Sequence, residues 1–316
     1  MDILFYGAGV IGSIYASKLA AEGSNVSVLA RNRRHKQLEA GIRFNDSVSG
    51  QETISKVEVI SELDQESEYD LIIVAVRSEQ IDTIIPVLKK NRSKRILLMV
   101  NTPSGYSEWI QHLGADRLFV GFPAAGGYMD DCGVVHGFIM TGAHQLMQKT
   151  VIGNVEFNNK KGAEAIIRLF RASGFPTDYC ANMDAWQKTH VAMLTPLVNV
   201  LHKHNGDLNL LANSKRDIVL YIEAVREGFR VLSKLGYPVI PFTLGLFFSL
   251  PSFILVLAWQ HILKSKFSEI SINPNANNAW GEFKKVGDEF QVLVKNSGIS
   301  TPSINELRLE ILSVSS

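Results

Sequence analysis

The first third of the chain alternates short apolar runs with amphipathic stretches. This alternation is typical of repeated strand–helix–strand units. The apolar runs consist almost entirely of Val, Ile and Leu, which predicts parallel strands that are covered on both faces. We predict strands at residues 3–6, 26–30, 71–76, 96–100, 118–121, 133–140 and 155–158, and helices at residues 10–22, 78–88 and 161–173.

After about residue 180 the pattern changes. Apolar residues now recur at helical spacing, through residues 185–201, 218–235 and 279–295. We therefore expect an α/β fold with a Rossmann-type doubly wound sheet over residues 1–180, which would bind the cofactor. An all-helical domain for the substrate and for dimerisation is expected over residues 181–316.

A glycine-rich turn joins the first predicted strand to the first predicted helix. It consists of Gly7, Ala8, Gly9, Val10, Ile11 and Gly12. Gly7 permits a tight turn, Gly9 lets the backbone approach a pyrophosphate, and Gly12 allows the helix to pack close to the sheet. The helix amino terminus then offers N–H groups to the phosphates. A glycine turn used only for packing is the alternative, but the order of strand, turn and helix favours a dinucleotide site.

The second predicted strand ends at a cluster of cations. An NAD-specific site usually carries Asp or Glu there to hold the ribose hydroxyls, and this chain has Arg31 instead. Arg33, Arg34 and Lys36 follow, and some of them are expected to form the solvated start of a surface helix. Because a guanidinium can bind a phosphate through two parallel hydrogen bonds, we expect NADP (NADPH) as the cofactor and Arg31 as the ligand of its 2′-phosphate.

Charge and cysteine content narrow the class of protein. Lys and Arg (32) almost balance Asp and Glu (31), so neither a nucleic acid nor an anionic membrane is expected as a partner. Cys132 and Cys180 have no metal-ligand spacing and are expected to be reduced thiols, as in a cytoplasmic protein. The amino terminus lacks the basic region and cleavage site of a signal peptide. Metal binding by His202 and His204 is not expected, because no carboxylate or cysteine stands at ligand spacing.

One apolar run, residues 239–263, contains His261 and no other side chain that can carry a charge. The run is long enough to consider a membrane span. Pro241 and Pro251 divide it into residues 242–250 and 252–263, each too short to cross a bilayer as a helix. We therefore expect no membrane span but a pair of buried helices or a homodimer interface, with a lipid-facing surface as the alternative.

A set of short motifs follows one another along nearly the whole chain. They are the glycine turn, Ala30-Arg31, Val76-Arg77-Ser78-Glu79-Gln80, Val100-Asn101, Gly133-Val134-Val135-His136, Ala185-Trp186-Gln187-Lys188, and Glu282 set twenty residues before Pro302. Their order and spacing resemble the ketopantoate reductase (2-dehydropantoate 2-reductase) family. The resemblance implies an NADPH-dependent reductase that transfers a hydride to the carbonyl of a 2-oxo acid such as 2-dehydropantoate.

The resemblance also implies roles for single residues. Lys188 would donate a proton to the substrate carbonyl, Glu282 would reach the cofactor and the catalytic centre, and Asn101 would lie near the nicotinamide and the substrate. Arg77, where family members usually have lysine, and Ala125 would lie near the cofactor. A positioned ammonium is suitable chemistry, because it can stabilise and protonate the oxygen on which negative charge develops. From the residues alone, the alternatives are a solvated helix lysine, an exposed helix glutamate and a turn asparagine.

The chain departs from the family at positions that bear on the substrate. Ala192 stands four residues beyond Lys188, where the ketopantoate enzymes carry an asparagine, and Thr102 stands where they usually have glycine. The polar segment expected before the last helices is replaced by the apolar run and by residues 268–278. A site without these polar partners binds a small polar acid less well. A related oxidoreductase acting on a more apolar carbonyl, and a catalytically silent NADPH-binding sensor, therefore stay open.

Two further features have simpler interpretations. His190 follows Lys188 by two residues, a spacing that places the two side chains on different faces of a helix. We interpret it as a buried, hydrogen-bonded histidine, with a second catalytic role as the alternative. Asp130 and Asp131 are interpreted as solvated loop residues.

Overall fold

The computed structural model describes residues 1–142, 145, 148–156, 159–265, 268–269 and 280–314. The chain divides into two compact units. The first, here the α/β unit, comprises Met1–Val100 and Tyr106–Met183. The second, here the helical unit, comprises Asn101–Gly105 and Asp184–Ser316. The short segment Asn101–Gly105 thus belongs to the helical unit although it follows a strand of the α/β unit.

The α/β unit contains twelve strands and five α-helices within the described residues. The strands are β1 (Asp2–Tyr6), β2 (Asn25–Leu29), β3 (Ile42–Asp46), β4 (Glu52–Ser55), β5 (Glu58–Ile60), β6 (Leu71–Val74), β7 (Ile96–Leu98), β8 (Leu118–Phe122), β9 (Ala125–Met129), β10 (Val135–Ile139), β11 (Thr150–Asn154) and β12 (Thr177–Tyr179). The helices are α1 (Val10–Ala21), α2 (Asn32–Leu38), α3 (Ile81–Lys90), α4 (Ser107–Leu113) and α5 (Lys160–Ala172), with a 3₁₀ turn at Ser78–Gln80.

The main sheet has eight strands in the order β12-β11-β8-β7-β6-β1-β2-β5. All neighbours pair in parallel except β11 and β8. The chain starts at β1, moves outward through β2, and then returns to build β6, β7 and β8 on the other side of β1. This change of direction between β1 and β6 is the point at which open α/β sheets bind ligands. The fold class predicted from the apolar runs is confirmed.

A second sheet of four strands, in the order β4-β3-β10-β9, accompanies the main sheet. The sequence analysis predicted only β10 among these strands. Helix α1 contacts β1 and β2 of the main sheet and all four strands of the second sheet. Its residues from Gly12 to Ser17 are therefore buried without a break.

One predicted strand is wrong. Residues 155 and 156 form a bend, and the strand lies earlier, at β11. Residues 157 and 158 lie outside the described residues. Pairing explains the difference, because β11 takes its register from β8 on one side and from β12 on the other, and the last residue of β11 that pairs is Asn154 with β8 and Ile152 with β12. The apolar residue Val155 therefore follows the strand rather than opening it.

The helical unit contains seven α-helices within the described residues. They are α6 (Met183–Lys203), α7 (Leu208–Asn213), α8 (Lys215–Lys234), α9 (Phe242–Ser249), α10 (Ser252–Leu263), α11 (Trp280–Ser297) and α12 (Pro302–Val314). Helix α8 is central, since it contacts α7, α9, α10, α11 and α12. The predicted helices of this half are found, apart from residue 279 and the segment 270–278, which lie outside the described residues.

Helices α9 and α10 occupy the apolar run, as the two prolines predicted. Arg226 of α8 anchors their junction, because its Nε donates to the Phe248 carbonyl at 2.9 Å and its Nη1 to Ser252 Oγ at 2.7 Å. Only one face of the pair is buried: Phe248 lies in the core, whereas Phe253 and Leu257 are 68% and 63% exposed. Of the expected alternatives, burial thus holds for one face of the pair only, and the homodimer interface stays a prediction for the other face. Within the described residues no single helix is long and apolar enough to cross a membrane, although α9 and α10, bent by 114°, pass that test as a pair.

Candidate functional site

A cavity of about 740 Å³ lies in the α/β unit at the carboxyl ends of β1, β2 and β6. This volume is within the range of small-molecule sites, roughly 300 to 1,000 Å³. The cavity is lined by Tyr6, Gly7, Ala8, Gly9, Leu29, Ala30, Arg31, Arg33, Arg34, Gln37, Ala75, Val76, Arg77, Gln80, Thr83, Ile84, Val87, Met129, Asp130 and Asp131. It therefore coincides with the change of direction in the strand order.

The glycine turn forms one wall of this cavity. Gly7 has φ +120°, and a Cβ there would lie 2.5 Å from the Ala75 carbonyl oxygen. A Cβ on Gly12 would lie 2.0 Å from the Gly7 carbonyl oxygen, so neither position accepts a side chain. Gly9 has nothing within 4 Å of its Cβ position, which leaves its backbone open to a ligand. Gly7, Ala8 and Gly9 line the cavity, whereas the three remaining residues of the turn form the start of α1.

Arg31 and Arg77 both line the cavity. Arg31 precedes the first residue of α2, and its Nε donates to the Ser61 carbonyl at 3.2 Å. Within the described residues its two terminal nitrogens have no hydrogen-bond partner, so they can meet a phosphate. The Arg77 side chain is largely exposed and lies 3.9 Å from the Glu79 carboxylate. The residues of the cavity thus fit a phosphorylated dinucleotide: an open backbone turn beside a guanidinium with unused donors.

Arg34 has a different role from Arg31. Its Nε donates to the Ala8 carbonyl at 2.9 Å, its Nη2 to Ser13 Oγ at 2.8 Å, and its Nη1 to the Gly133 carbonyl at 2.8 Å. Burial lowers the pKa of this guanidinium. Arg34 therefore ties the glycine turn to the connection between β9 and β10. Of the cations that follow β2, Arg34 therefore has a structural role, whereas Arg31 keeps terminal nitrogens for a ligand.

The sequence analysis missed the contribution of the second sheet to the cavity. Met129, the last residue of β9, and Asp130 and Asp131, on the connection to β10, line it, so the two acids are more than solvated loop residues. His136 Nε2 lies 3.1 Å from Asp130 Oδ2, and the hydrogen bond from His136 lowers the pKa of this carboxyl. The sequence feature that could have revealed this sheet is the glycine-rich stretch of β9, which is followed by the apolar strand β10. Ala125 opens β9 but is not among the residues that line the cavity.

Lys188 lies in the helical unit, on α6, and is only 2% exposed. Its Nζ donates to Asp184 Oδ1, one helical turn earlier, and lies 4.5 Å from the centre of the Tyr237 ring. Burial, together with Asp184, raises the pKa of the Tyr237 phenol, which keeps that group neutral. The ammonium is thus held by a carboxylate and an aromatic face. Lys188 is not a solvated surface lysine.

Asn101 lies in the segment Asn101–Gly105, here the 101–105 loop. Within the described residues its buried Oδ1 has no hydrogen-bond partner. At the other end of the loop, Gly105 has φ +83°, and a Cβ there would lie 3.4 Å from Asp184 Oδ1 and 3.9 Å from Lys188 Nζ. The loop therefore passes directly beside the ammonium. The structure places Asn101 and Lys188 in the same unit, together with Glu282, which is half-buried in the first turn of α11.

His190 is buried and stacks on Trp186, with ring centres 5.2 Å apart. Burial lowers the pKa of His190 to about 4, so the ring is neutral at neutral pH. This agrees with its interpretation as a core histidine. No group of three or more His, Cys, Asp or Glu side chains in the described part of the chain is arranged to hold a metal ion.

Comparison with known proteins finds relatives and solved structures of similar sequence or fold. Residues 3–156 match the family model described as ketopantoate reductase PanE/ApbA. Over these residues, just under half of the chain, the sequence is similar to the ketopantoate reductase family. The 2-dehydropantoate 2-reductase of Listeria innocua is 26% identical over 214 residues, which are 66% of this chain and 68% of the relative. That of Pyrococcus horikoshii is 24% identical over 239 residues, 75% of each chain. These names support an oxidoreductase activity.

Solved structures of the ketopantoate reductase fold cover almost all of both chains. D-mandelate dehydrogenase with NADH and anilino(oxo)acetate has a TM-score of 0.78 at 15% identity and covers 99% of this chain and 97% of its own. The 2-dehydropantoate 2-reductase of Geobacter metallireducens has a TM-score of 0.78 at 15% identity and covers 99% of this chain and 100% of its own. At such identities the likeness shows the fold.

The chain has a closed contact between two helices at Ala192, where the ketopantoate enzymes that it resembles carry an asparagine. Ala192, on α6, is buried. A Cβ added to Gly228, on α8, would lie 3.0 Å from the Ala192 Cβ. The two helices therefore touch at this point through their smallest residues. A longer amide side chain at position 192 would not fit this contact without moving α8 away from α6.

Proposed function

We propose that this protein is an NADPH-dependent reductase that acts on the carbonyl of a 2-oxo acid such as 2-dehydropantoate. The observation that carries the proposal is the Lys188 ammonium, which is buried, paired with Asp184, and adjacent to the 101–105 loop. An ammonium that is buried and held in place in this way can donate a proton to a carbonyl oxygen bound beside it. The names of the curated relatives support the same activity.

The α/β unit supplies the cofactor site of this proposal. The backbone N–H groups of the glycine turn and of the start of α1 would hold the pyrophosphate. Arg31 would hold the 2′-phosphate, and Arg77 would lie at the rim of the same cavity. The reduced nicotinamide, when bound, supplies a hydride to the carbonyl carbon of the substrate. A structural neighbour that contains NADH supports a nicotinamide cofactor, and Arg31 is the reason to choose NADPH.

The helical unit supplies the proton. Lys188 Nζ donates a proton to the carbonyl oxygen as negative charge develops there, and Asp184 and Tyr237 keep the ammonium in place. Asn101 offers an amide that can bind a substrate or nicotinamide oxygen without adding charge. The Glu282 carboxylate would orient Lys188 or the nicotinamide ribose.

Replacement of Lys188 tests the assignment. In Lys188→Met we expect kcat for reduction of a 2-oxo acid to fall by about two to four orders of magnitude, with the Kd for NADPH unchanged. Lys234→Met, an exposed lysine at the end of α8, is the matched control and should keep full activity. Equal rates in Lys188→Met and the unchanged protein would refute the proton-donor role.

A more apolar carbonyl compound is a second candidate substrate. The closed contact of Ala192 with Gly228 removes one polar partner of the substrate, and the Tyr237 ring places an aromatic wall near Lys188. The comparison of kcat/KM for 2-dehydropantoate and for an aromatic 2-oxo acid such as phenylglyoxylate decides between the two. Tight NADPH binding with no turnover of any carbonyl in the panel would instead support a nucleotide sensor.

We also infer a homodimer through the helical unit, based on the exposed apolar face of α9 and α10. A cytoplasmic location remains a prediction from the cysteine content.

A further inference from the structure

A carboxylate outside the assigned site holds the 101–105 loop. Ser104 Oγ donates to Glu289 Oε2 at 3.1 Å, and Thr102 Oγ1 donates to the same oxygen at 3.4 Å. Glu289 lies on α11, two helical turns beyond Glu282. Lys285 Nζ lies 3.8 Å from the other oxygen, Glu289 Oε1. The carboxylate therefore binds a cation on one side and two hydroxyl groups of the loop on the other.

The Thr102 hydroxyl has a defined direction. Its oxygen accepts the backbone N–H of Ser104 at 3.1 Å, so its own hydrogen is left to donate to Glu289. Thr102 is buried, which keeps water from competing for this hydrogen bond.

The two residues that contact Glu289 lie between Asn101 and Gly105, the two ends of the loop. Asn101, with a buried oxygen that has no partner in the described residues, precedes Thr102 directly. Gly105, which follows Ser104 directly, approaches Lys188 Nζ and Asp184. Asn101 is joined to Thr102, and Gly105 to Ser104, by a single peptide bond. A shift at Thr102 or Ser104 would therefore displace the adjoining end of the loop.

We propose that Glu289 is a positioning residue that holds the 101–105 loop, and Asn101 with it, in place beside Lys188. The inference rests on the proposed reduction of a carbonyl compound, in which Asn101 binds an oxygen of the substrate or the nicotinamide. Glu289 acts through the hydroxyl groups of Thr102 and Ser104. A small displacement of a binding group is sufficient to slow a reaction that depends on near-attack geometry.

Four variants and one control test the proposal by kinetics. Glu289→Ala and Thr102→Val should each lower kcat about tenfold and leave the KM for NADPH unchanged, and the double variant should be no slower than the slower single variant. Glu289→Gln keeps an acceptor oxygen and should be intermediate. Asp288→Ala, on the same helix and paired with Arg308 at 2.8 Å, removes an exposed carboxylate and should keep full kcat. Losses that multiply in the double variant, or an unchanged kcat in Glu289→Ala, would overturn the proposal.

A second measurement does not require turnover. Hydrogen–deuterium exchange of the peptide covering residues 98–106 should be faster in Glu289→Ala and Thr102→Val than in the unchanged protein, and unaltered in Asp288→Ala. If no carbonyl is reduced by the unchanged protein, the proposed function fails, and the exchange data alone decide whether Glu289 holds the loop. Unaltered exchange in Glu289→Ala overturns the inference whatever the activity.

Discussion

At the residue scale, the structure separates two arginines that the sequence places in one cluster. Arg31 keeps its terminal nitrogens available at the cavity, whereas Arg34 uses every nitrogen of its guanidinium on the glycine turn and its neighbours. The first can recognise a phosphate group of the ligand. The second shapes the cavity whatever ligand enters. Their replacement should therefore have different effects on NADPH and on NADH.

Nucleotide binding is predicted to distinguish the two arginines. Arg31→Ala should raise the Kd for NADPH at least about tenfold and leave the Kd for NADH unchanged, because only NADPH carries the 2′-phosphate. Arg34→Met should raise both Kd values by a similar factor, because the carbonyl of Ala8 and the hydroxyl of Ser13 lose their donor. Fluorescence titration with each nucleotide measures this. A loss of NADPH affinity alone in Arg34→Met would assign it to the phosphate instead.

His190 predicts a dependence of stability on pH. Its pKa is about 4 in the folded chain, against the ordinary 6.5, so between these values the unfolded chain binds a proton that the folded chain does not. The contribution of neutral His190 to the free energy of unfolding is fully present above pH 6.5, and it is lost as the pH falls toward 4. Between neutral pH and about pH 5 the loss is on the order of 2 kcal/mol.

Urea denaturation at both pH values measures this loss. Carboxylates also titrate in this range, so the relevant quantity is the difference between the unchanged protein and His190→Gln. The variant should lose less free energy of unfolding than the unchanged protein over the same interval. The same loss in both would mean that His190 is protonated in the folded state.

The environment of Lys188 shows what the sequence could and could not provide at this scale. The family motif placed the lysine, and helical periodicity placed it on α6. Its burial depends on Tyr237, which follows α8, and on Gly105, which lies more than eighty residues earlier. Such contacts come from packing between distant segments, and no local sequence pattern predicts them. The same holds for the hydrogen bonds from the Thr102 and Ser104 hydroxyl groups to Glu289.

At the element scale, a buried carboxylate joins the end of the helix that carries Lys188 to the start of α8. Asp217 accepts hydrogen bonds from Lys203 Nζ at 2.9 Å, from Ser214 Oγ at 2.7 Å, and pairs with His204 Nε2 at 2.9 Å. The Ser214 side chain in turn caps α8 by accepting the Asp217 N–H. This junction fixes the position at which α6 ends.

Replacement of Asp217 is predicted to destabilise the helical unit. Asp217→Asn should lower the free energy of unfolding by about 1.5 to 3 kcal/mol, because the half-buried Lys203 ammonium loses its charge-assisted hydrogen bond to a carboxylate. Glu306→Gln, which removes an exposed carboxylate that faces Arg216 at 3.5 Å, is the control and should change stability by less than about 0.5 kcal/mol. Chemical denaturation followed by circular dichroism gives both values. If Asp217→Asn lowers the free energy of unfolding as little as Glu306→Gln does, the junction contributes little to stability.

Five strands of the main sheet, β1, β2, β6, β7 and β8, could be predicted, whereas its strands β5, β11 and β12 and most strands of the second sheet could not. Strands β6 and β7 are fully buried and consist of Val, Ile and Leu, which produces a continuous apolar run. Strands β5 and β12 are short and partly polar. Strand β9 contains two adjacent glycines, and a Cβ on Gly137 of β10 would lie 2.6 Å from the Gly126 carbonyl oxygen. The close approach of these strands requires glycine, and glycine is read from sequence as a turn. Strand β4 is mostly polar and lies at an edge.

At the scale of the whole molecule, the face of α9 and α10 that points away from the core is apolar. Phe242, Leu246, Phe253 and Leu257 are all exposed. Contiguous apolar surface of this kind marks a binding face in most proteins. Neither helix contains Lys or Arg. Helices that lie on a lipid surface are usually rich in these residues, so the composition favours a second copy of the chain as the partner.

The homodimer is predicted to dissociate when charge is placed on this face. The double variant Phe253→Glu, Leu257→Glu should sediment as a monomer under conditions in which the unchanged protein is a dimer, because burial of a carboxylate without a partner costs several kcal/mol. Val292→Glu, at an exposed apolar position of α11, should remain a dimer. Phe248 is unsuitable for this test, because it lies in the core and a charge there would unfold the unit rather than report on assembly. An unchanged protein that sediments as a monomer and binds to uncharged lipid vesicles would instead assign the face to a membrane surface, and the double variant should then lose vesicle binding.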